Sequence, residues 1–519
     1  MKKISLIFLC LFVFSFAHAN PKTTLLVESI TIDVNGTPGT VYRVVQPDGT
    51  WGFTGTEGEI FDARVINQTD KPMSMHWHGV VLPNDQDGVP GVTQAGPIEP
   101  GAYQDFSYRL VQNGTYWMHT HYGYGEQKQL SAPMIILDPK DPYPDAKSVT
   151  MFLTDYTSKS FAYIEKKLKA GMTPTPTPLF PDQQKTMGSS VGMNASMSKG
   201  MSAGKSAGMG VAMTDEKGKT NLPMGGGMVM GGGSDLNDVN FEVLLTNYKT
   251  LEHPDIIAVD PGQQVRLRII DAAVGSNFHI NLGKLQVTVI ATDGHYIEPP
   301  VRGSKFSIAV AQRLDIIVTI PHDAKESFPI LAQVEGTRYQ TGLILAVPGA
   351  PALKLSQEAK MAVGPIQADQ DKLFHAKNPF PARAPTNKVQ VSLDGSMKDY
   401  KWSMNNQTWP NVTPIMVKNG DRVEITLRNN TSMGHPMHLH EYFQVMSINS
   451  EKFINGPMRD TVYVPANGEA VIALDTLNPG NWMFHCHILY HMANGMMTVM
   501  QYEGVPTAQI IKDYQELKK

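Results

Sequence analysis

Short runs of alternating hydrophobic and polar residues recur along most of the chain. Examples are QVRLRII at 264–270 and RVEITLR at 422–428. Alternation with a period of two places apolar side chains on one face of a β-strand, and segments rich in glycine and proline separate the runs. Residues with the spacing of an amphipathic helix are scarce. The pattern predicts an all-β protein of β-sandwiches, and 519 residues give room for about three of them.

A repeated spacing of glycine, asparagine and histidine predicts three consecutive domains. The first copy comprises Gly58, Asn67, Thr69, His76 and His78. The third copy has the same residue types at the same spacing, namely Gly420, Asn429, Thr431, His438 and His440. A middle copy begins at Gly262 but has Ile280 and Leu282 at the two histidine positions. We therefore expect the middle domain to keep the fold and to contribute no ligand.

Two long segments without a strand pattern divide the chain. Residues 166–235 are rich in Gly, Ser, Lys, Met and Thr-Pro pairs, and residues 350–385 are rich in Pro, Ala and Lys. The first is interpreted as an insert and the second as a linker. The predicted order is a signal peptide at 1–19, a first domain at 20–145, a second domain with its insert at 146–349, the linker, and a third domain at 386–519.

The first residues, MKKISLIFLCLFVFSFAHA, have the pattern of a secretory signal. Two lysines precede an apolar run at 4–16, and this run is shorter than the roughly 20 residues that span a bilayer. We expect cleavage before Asn20, export across the inner membrane to the periplasm, and no transmembrane segment in the mature chain. Its formal charge, 42 − 48 = −6, gives no sign of a nucleic-acid partner.

Ten of the 16 histidines lie in four short clusters. The clusters are HWHG at 76–79, HTH at 119–121, HPMHLH at 435–440 and HCHILYH at 485–491. Residues i and i+2 of a strand share a face, so each His-x-His pair presents two imidazoles to one side. Four facing pairs offer eight nitrogens, which suit copper and can be divided among three ions. These candidate ligands are His76, His78, His119, His121, His438, His440, His485 and His487.

The remaining candidate ligands predict a different kind of site. Cys486, the only cysteine left after signal cleavage, should point to the opposite face of its strand from His485 and His487. A thiolate, two imidazoles and a distant thioether form a blue-copper electron-transfer site. The other candidates for this site are His435, His491 and Met496. The two sites would then lie back to back.

Zinc is the main alternative metal. A single His-x-His pair is usually structural or half of a zinc site. Four pairs and a cysteine exceed the four ligands of a structural zinc site, and a catalytic zinc keeps only three protein ligands. The full set therefore favours copper.

The four clusters resemble the copper-binding signatures of the multicopper oxidase family, which includes laccases, ascorbate oxidases, cuprous oxidases and ferroxidases. The resemblance covers nearly the whole mature chain and implies three consecutive cupredoxin-like Greek-key β-sandwich domains with four copper ions. It implies a type 2 copper on His76 and His438. The type 3 coppers would take His78, His119 and His487, and His121, His440 and His485. The type 1 copper would take His435, Cys486, His491 and axial Met496.

The resemblance also implies that Asp87, in the segment DGVPG, is the acid that helps protons reach the cluster. The alternative is a turn residue in Asp87-Gly88. Two positions depart from the family pattern. Glu441 follows HLH where the family usually has glycine, and Met492 stands where many copper-tolerance relatives have an acid.

The activity implied by the resemblance is one-electron oxidation of a reducing substrate at type 1 copper, coupled to four-electron reduction of dioxygen to water. Cu(I) and laccase-type phenols are the favoured donors, and an Fe(II) ferroxidase or a copper-sequestering protein are alternatives. Nine methionines at 187–230 lie among Gly and Ser. Thioethers select Cu(I), so this segment predicts Cu(I) binding. The other interpretation is an incidental linker.

Overall fold

The computed structural model describes residues 23–173 and 236–506. The predicted signal peptide and the methionines at 187–230 lie outside these ranges. Strands dominate the described residues and fall into three successive groups, which confirms the all-β prediction. Within the described ranges, no helix has the length and apolar character needed to cross a bilayer.

The first group forms two four-stranded sheets. Its strands are β1 (Thr23–Val34), β2 (Thr37–Val45), β3 (Phe53–Thr56), β4 (Ile60–Asn67), β5 (His76–His78), β6 (Tyr103–Arg109), β7 (Gly114–His119) and β8 (Ser131–Leu137). The sheet orders are β2-β1-β4-β6 and β3-β8-β7-β5. Short 3-10 turns lie at Asn84–Gln86 and Gly125–Lys128.

The second group forms a six-stranded and a five-stranded sheet. Its elements are β9 (Lys147–Tyr156), α1 (Phe161–Lys169), β10 (Val243–Thr246), β11 (Ile256–Ala258), β12 (Gln264–Asp271), β13 (Phe278–Asn281), β14 (Val287–Thr292), β15 (His295–Gly303), β16 (Lys305–Ile308), β17 (Arg313–Thr319), β18 (Phe328–Val334) and β19 (Gln340–Ala346). The sheet orders are β10-β9-β12-β17-β14-β15 and β11-β19-β18-β13-β16. Ile280 of β13, at a histidine position of the repeat, is a buried core residue.

The third group follows a 3-10 turn at Ala368–Leu373. Its elements are β20 (Asn387–Ser396), β21 (Lys401–Met404), β22 (Ile415–Val417), β23 (Arg422–Asn429), β24 (His435–Ile448), β25 (Glu451–Lys452), β26 (Met458–Val464), β27 (Glu469–Asp475), β28 (Asn481–Cys486), α2 (Leu489–Ala493) and β29 (Met497–Tyr502). The long strand β24 pairs with β25, β26, β27 and β28, so the sheets of this group are continuous.

The three groups span 23–137, 147–346 and 387–502, and the predicted domain boundaries lie in the connections between them. The segment predicted as a linker, 350–385, contains a 3-10 turn and no strand. The described start of the predicted insert is helical, because α1 ends at Lys169.

Strand β12 departs from the expected alternation of buried and solvent-facing residues. Its side chains Arg266 and Arg268 are buried together with the apolar ones. Asp315 Oδ2 on β17 lies 2.5 Å from Arg266 Nη2 and 3.0 Å from Arg268 Nη1. Ion pairing makes the buried charges tolerable. The alternation of apolar and polar residues therefore predicted the strand correctly but did not predict that both of its faces are buried.

Asn67 and Asn429 hold the loops that lead into the histidine strands. Asn67 Nδ2 donates to the backbone oxygens of Lys71 and Ile98, each at 2.8 Å. Asn67 Oδ1 accepts from the backbone N and Oγ1 of Thr69 at 2.9 and 2.7 Å. Asn429 makes the equivalent bonds in the third group. These buried bonds give a physical reason for the Asn-x-Thr spacing in the repeat.

Replacement of Asn67 by alanine tests this role. Asn67→Ala should lower the free energy of unfolding by about 2–4 kcal/mol, because several buried polar groups lose their partner. The measurement is the urea midpoint followed by tryptophan fluorescence. The control is Gln68→Ala, which removes an adjacent exposed side chain and should change stability by less than about 0.5 kcal/mol. Equal effects of the two substitutions would contradict the role.

Candidate metal centre

The histidine clusters lie on strand pairs that have the same register in the first and third groups. His76 of β5 is opposite His119 of β7. His438 of β24 is opposite His485 of β28. The eight candidate cluster histidines are all buried. The repeat therefore builds two similar halves of one site.

Six of these imidazoles form two sets of three. The first set comprises His78, His119 and His487. The second set comprises His121, His440 and His485. The ring centroids are 5.1, 5.1 and 5.5 Å apart in the first set and 4.8, 5.1 and 5.4 Å apart in the second. Each set takes rings from both the first and the third groups. Other threesomes in the cluster are equally close, for example His76, His121 and His440 at 3.9, 4.8 and 5.0 Å.

His76 and His438, the predicted type 2 pair, complete the cluster with their centroids 6.0 Å apart. Each ring stacks on a histidine of the other group. His76 stacks on His440 at 3.9 Å, and His438 stacks on His78 at 3.7 Å. All eight imidazoles thus meet in one place.

Hydrogen bonds to oxygen decide which ring nitrogen a histidine can offer to a metal. His76 Nδ1 lies 2.9 Å from the backbone oxygen of Asp87, and His440 Nδ1 lies 2.8 Å from Oδ2 of the same residue. His438 Nδ1 lies 2.9 Å from the backbone oxygen of Asp460. A neutral imidazole carries one N–H, so the nitrogen that donates to oxygen leaves the other with a free lone pair.

The remaining nitrogens fit copper ligands. Within residues 23–173 and 236–506, no hydrogen-bond partner is found for the buried Nε2 atoms of His76, His121, His438 and His487. His440 Nε2 faces His485 Nε2 at 3.3 Å, and His78 Nδ1 faces His119 Nε2 at 3.4 Å. Buried nitrogens without a partner are costly, and a metal ion would satisfy them. A cluster of imidazole nitrogens suits copper.

Burial favours the neutral form of seven of the eight cluster imidazoles. It lowers the pKa of His485 to about 3. Burial first, and then the proximity of other imidazoles, lowers the pKa well below its ordinary value in His78, His119, His121, His438, His440 and His487. Neutral imidazole is the form in which histidine binds metals, so the rings are ready to act as ligands at neutral pH.

Cys486, His435 and His491 form a second buried group. Cys486 Sγ lies 3.7 Å from His435 Nδ1 and 3.6 Å from His491 Nδ1. Burial raises the pKa of the Cys486 thiol, so a nearby cation is needed to stabilise the thiolate. Met496 is buried beside this group, where its backbone oxygen accepts from the Cys486 amide at 3.0 Å.

Oxygen atoms also lie beside the outer nitrogens of this second group, and the contact with His435 is a hydrogen bond. Thr431 Oγ1 lies 2.7 Å from His435 Nε2. Asp238 Oδ2 lies 2.8 Å from His491 Nε2. Both Nδ1 atoms face Cys486. The threonine of the third repeat copy thus positions a candidate ligand as well as a loop.

Asp87 lies against the cluster and also belongs to a tight turn. Its Oδ1 lies 3.1 Å from His76 Nδ1, in addition to the contact of Oδ2 with His440 Nδ1. Gly88 has a φ of +78°, and a Cβ at this position would overlap the backbone of Met75. The two interpretations of Asp87-Gly88 are therefore compatible.

The two departures from the family pattern have clear positions. Glu441 lies where the pairing of β24 with β26 is interrupted, between His438 and Phe443. Its Oε1 accepts from Asn478 Nδ2 at 2.9 Å, and burial raises its pKa to about 8. Met492 is buried in α2.

Three acidic residues contact candidate ligands although no local sequence signal marked them. Asp460 Oδ1 lies 3.0 Å from His78 Nε2. Glu126 contacts His119 Nδ1 through Oε1, and burial raises the pKa of Glu126 to about 8. Asp238 is the third. Such acids orient the imidazoles that bind a metal. They can be identified only from the three-dimensional structure, because each lies outside the strand or helix that carries its histidine.

Three regions of the chain match the multicopper oxidase family, at residues 53–141, 147–348 and 382–504. Multicopper oxidase MmcO of Mycobacterium tuberculosis is 30% identical over 457 residues, which cover 86% of this chain and 80% of the relative. Copper resistance protein A of Escherichia coli is 26% identical over 577 residues, which cover 90% of this chain and 88% of the relative.

Solved structures with the same fold include Fet3p, a multicopper oxidase that functions in iron import, with a TM-score of 0.70, 18% identity, and coverage of 95% of this chain and 93% of that one. The laccase from Botrytis aclada has a TM-score of 0.67 and 21% identity, with coverage of 95% and 89%. These likenesses confirm the expectation of three cupredoxin-like β-sandwich domains. The sequence matches go further, and the chain therefore belongs to the multicopper oxidase family, whose members use copper to carry electrons from reducing substrates to dioxygen.

Proposed function

We propose that the protein holds four copper ions and oxidises Cu(I) with dioxygen as the electron acceptor. The proposed type 1 ligands are His435, Cys486, His491 and Met496. The proposed type 2 ligands are His76 and His438. The proposed type 3 ligands are His78, His119 and His487 for one ion and His121, His440 and His485 for the other. Bound copper would supply the one-electron redox chemistry that takes electrons from the substrate and reduces dioxygen to water.

The position of Cys486 between His485 and His487 carries this proposal. Its thiol faces His435 Nδ1, whereas His485 Nε2 faces His440 Nε2 in the cluster. One peptide bond on either side of Cys486 therefore joins the two groups of ligands. An electron-donating site and an oxygen-reducing site need such a connection, and a sequestering protein does not.

Two observations support Cu(I) as the electron donor, namely the methionine-rich segment and the names of similar proteins. The nine methionines at 187–230 are soft thioether ligands of the kind that selects Cu(I). A relative that matches 90% of the chain is named copper resistance protein A. Phenols are the second candidate, because laccases of Botryotinia fuckeliana also match the chain. We further propose action in the periplasm, which the secretory pattern of residues 1–19 supports.

We also propose that Asp87 delivers protons to the cluster. Its Oδ2 lies 2.8 Å from His440 Nδ1, so the carboxylate is one hydrogen bond from a candidate ligand. Reduction of dioxygen to water consumes protons, and the cluster is buried away from solvent. A positioned acid near the cluster meets that requirement.

Cys486→Ser tests the proposed type 1 site. The copper-loaded protein should contain about four coppers and absorb intensely in the visible, because thiolate bonded to Cu(II) gives the blue colour. The serine variant should lose the blue band and substrate oxidation, since no thiolate remains. Metal analysis and visible spectroscopy provide the measurement. A blue band that survives the substitution would contradict the assignment.

His485→Ala is the companion variant, and it targets the cluster. The variant should keep its blue type 1 absorption, and substrate should still reduce this copper and remove the absorption under nitrogen. Oxygen consumption should fall to the background rate, because a proposed type 3 ligand is missing. Stopped-flow absorbance and an oxygen electrode follow the two half-reactions. Rapid return of the blue colour in air would exclude His485 from the cluster.

Asp87→Asn and Asp87→Ala separate the transfer of a proton from the orientation of a ring. Asparagine keeps an oxygen that can accept from His440 Nδ1 but has no carboxyl proton to transfer. Asp87→Asn should therefore retain copper and slow oxygen reduction by about 100-fold. Asp87→Ala should also weaken copper binding. The control is Asp85→Asn at a nearby exposed position. Normal turnover in Asp87→Asn would limit Asp87 to an orienting role.

The donor is tested by comparing the oxidation of buffered Cu(I), Fe(II) and a phenol under air. Cu(I) should give the highest kcat/KM. Replacing residues 187–230 with a Gly/Ser linker should raise KM for Cu(I) and leave phenol oxidation and the copper content unchanged, because none of the proposed ligands lies there. Unchanged Cu(I) kinetics, with phenols as the better substrates, would favour a general laccase.

A further inference from the structure

Arg313 is a buried residue of the middle group that contacts both of the other groups. It begins β17, and its side chain is fully buried. Its Nη1 and Nη2 donate to Oδ1 and Oδ2 of Asp460 in β26, at 2.7 and 2.5 Å. Its Nε donates to the backbone oxygen of Thr115 in β7 at 3.1 Å. A bidentate bond of this kind fixes the carboxylate in orientation as well as position.

Asp460 in turn contacts one candidate ligand from each ligand-bearing domain. Its Oδ1 lies 3.0 Å from His78 Nε2. Its backbone oxygen lies 2.9 Å from His438 Nδ1. Thr461 Oγ1 donates to the same Oδ1 at 3.0 Å. The guanidinium of Arg313 is therefore one residue away from two cluster imidazoles.

His78 differs from the neighbouring histidines in which ring nitrogen contacts oxygen and which faces the cluster. His76, His438 and His440 engage Nδ1 with oxygen and leave Nε2 for the cluster. His78 engages Nε2 with Asp460, so the nitrogen that faces His119 is Nδ1. The Asp460 carboxylate therefore selects the tautomer that offers Nδ1.

Gly79 provides the space for this ion pair. It follows His78 directly and has a φ of +82°. A Cβ at this position would lie 2.5 Å from both Arg313 Nη2 and Asp460 Oδ2. Gly79, the last residue of the HWHG cluster, is therefore required for two reasons. A side chain would collide with the ion pair between Arg313 and Asp460, and the positive φ of Gly79 favours glycine.

We infer that Arg313 is a positioning residue of the cluster, which acts through Asp460 to set the tautomer and orientation of His78 and to hold His438. The inference rests on the proposed function in so far as these histidines bind copper. The middle domain supplies none of the proposed ligands and yet controls the geometry of the cluster. A purely structural ion pair between domains is the competing explanation.

The test uses Arg313→Gln and the conservative Arg313→Lys. Both should keep the blue type 1 absorption. The affinity for type 2 copper should fall by about 10–100-fold in Arg313→Gln, with an altered hyperfine splitting in its electron paramagnetic resonance spectrum. Lysine keeps the charge but cannot bind both carboxylate oxygens in a planar fork, so Arg313→Lys should give an intermediate loss. If Arg313→Gln does not fold, Arg313→Lys carries the test.

The matched control is Arg266→Lys, which alters a buried ion pair of the same domain, in which Arg266 Nε and Nη2 both donate to Asp315 Oδ2. It should lower the melting temperature without changing the type 2 signal. If the Arg313 variants lose only stability, as the control does, Arg313 is a structural residue and the inference is overturned.

A second measurement is independent of copper. In the copper-free protein labelled with ¹⁵N-histidine, His78 should be protonated at Nε2, and its signals are identified by their loss in His78→Gln. Arg313→Gln should shift His78 toward the Nδ1–H tautomer, whereas Arg266→Lys should not. An unchanged tautomer overturns the inference. If the wild-type protein binds no copper cluster but Arg313→Gln still shifts the tautomer of His78, the proposed function is overturned and the positioning role remains.

Discussion

A histidine has two ring nitrogens, and in a buried cluster the one that does not face the metal needs an oxygen partner. Two aspartates meet this need in a reciprocal way. Asp87 of the first domain uses its backbone oxygen for His76 and its carboxylate for His440. Asp460 of the third domain uses its backbone oxygen for His438 and its carboxylate for His78. Each aspartate thus holds one histidine of its own domain and one of the other domain.

This arrangement explains what a domain without candidate ligands contributes. Arg313 of the middle domain neutralises Asp460, and Asp293 of the middle domain pairs in turn with the buried Arg459 of the third domain. The carboxylates needed to orient the imidazoles would be costly to bury alone. The buried guanidinium of Arg313 makes the burial of Asp460 possible. The middle domain therefore provides a countercharge to a site formed by its neighbours.

The sequence was sufficient for the fold class and for finding the histidine clusters. Both depend on local spacing, because strand alternation and His-x-His pairs can be read within a few residues. The orienting residues could not be found in this way. His78 and Asp460 are separated by 382 positions, and neither RDTVYV around Asp460 nor QRLDII around Arg313 differs from an ordinary strand. Burial of Arg266 and Arg268 was missed for the same reason, since their countercharge lies on another strand.

The stacked rings at the boundary between the first and third domains have a consequence for how the protein acquires metal. His76 lies flat on His440, and His78 lies flat on His438. These rings are buried, so in the proposed function a copper ion would reach them only if the boundary opened or before the two domains closed. Copper uptake would then be limited by the rate at which this boundary opens, and it would not depend on copper concentration once copper is in excess. In the proposed function, copper ions bound by histidines of both domains would also hold the two domains together.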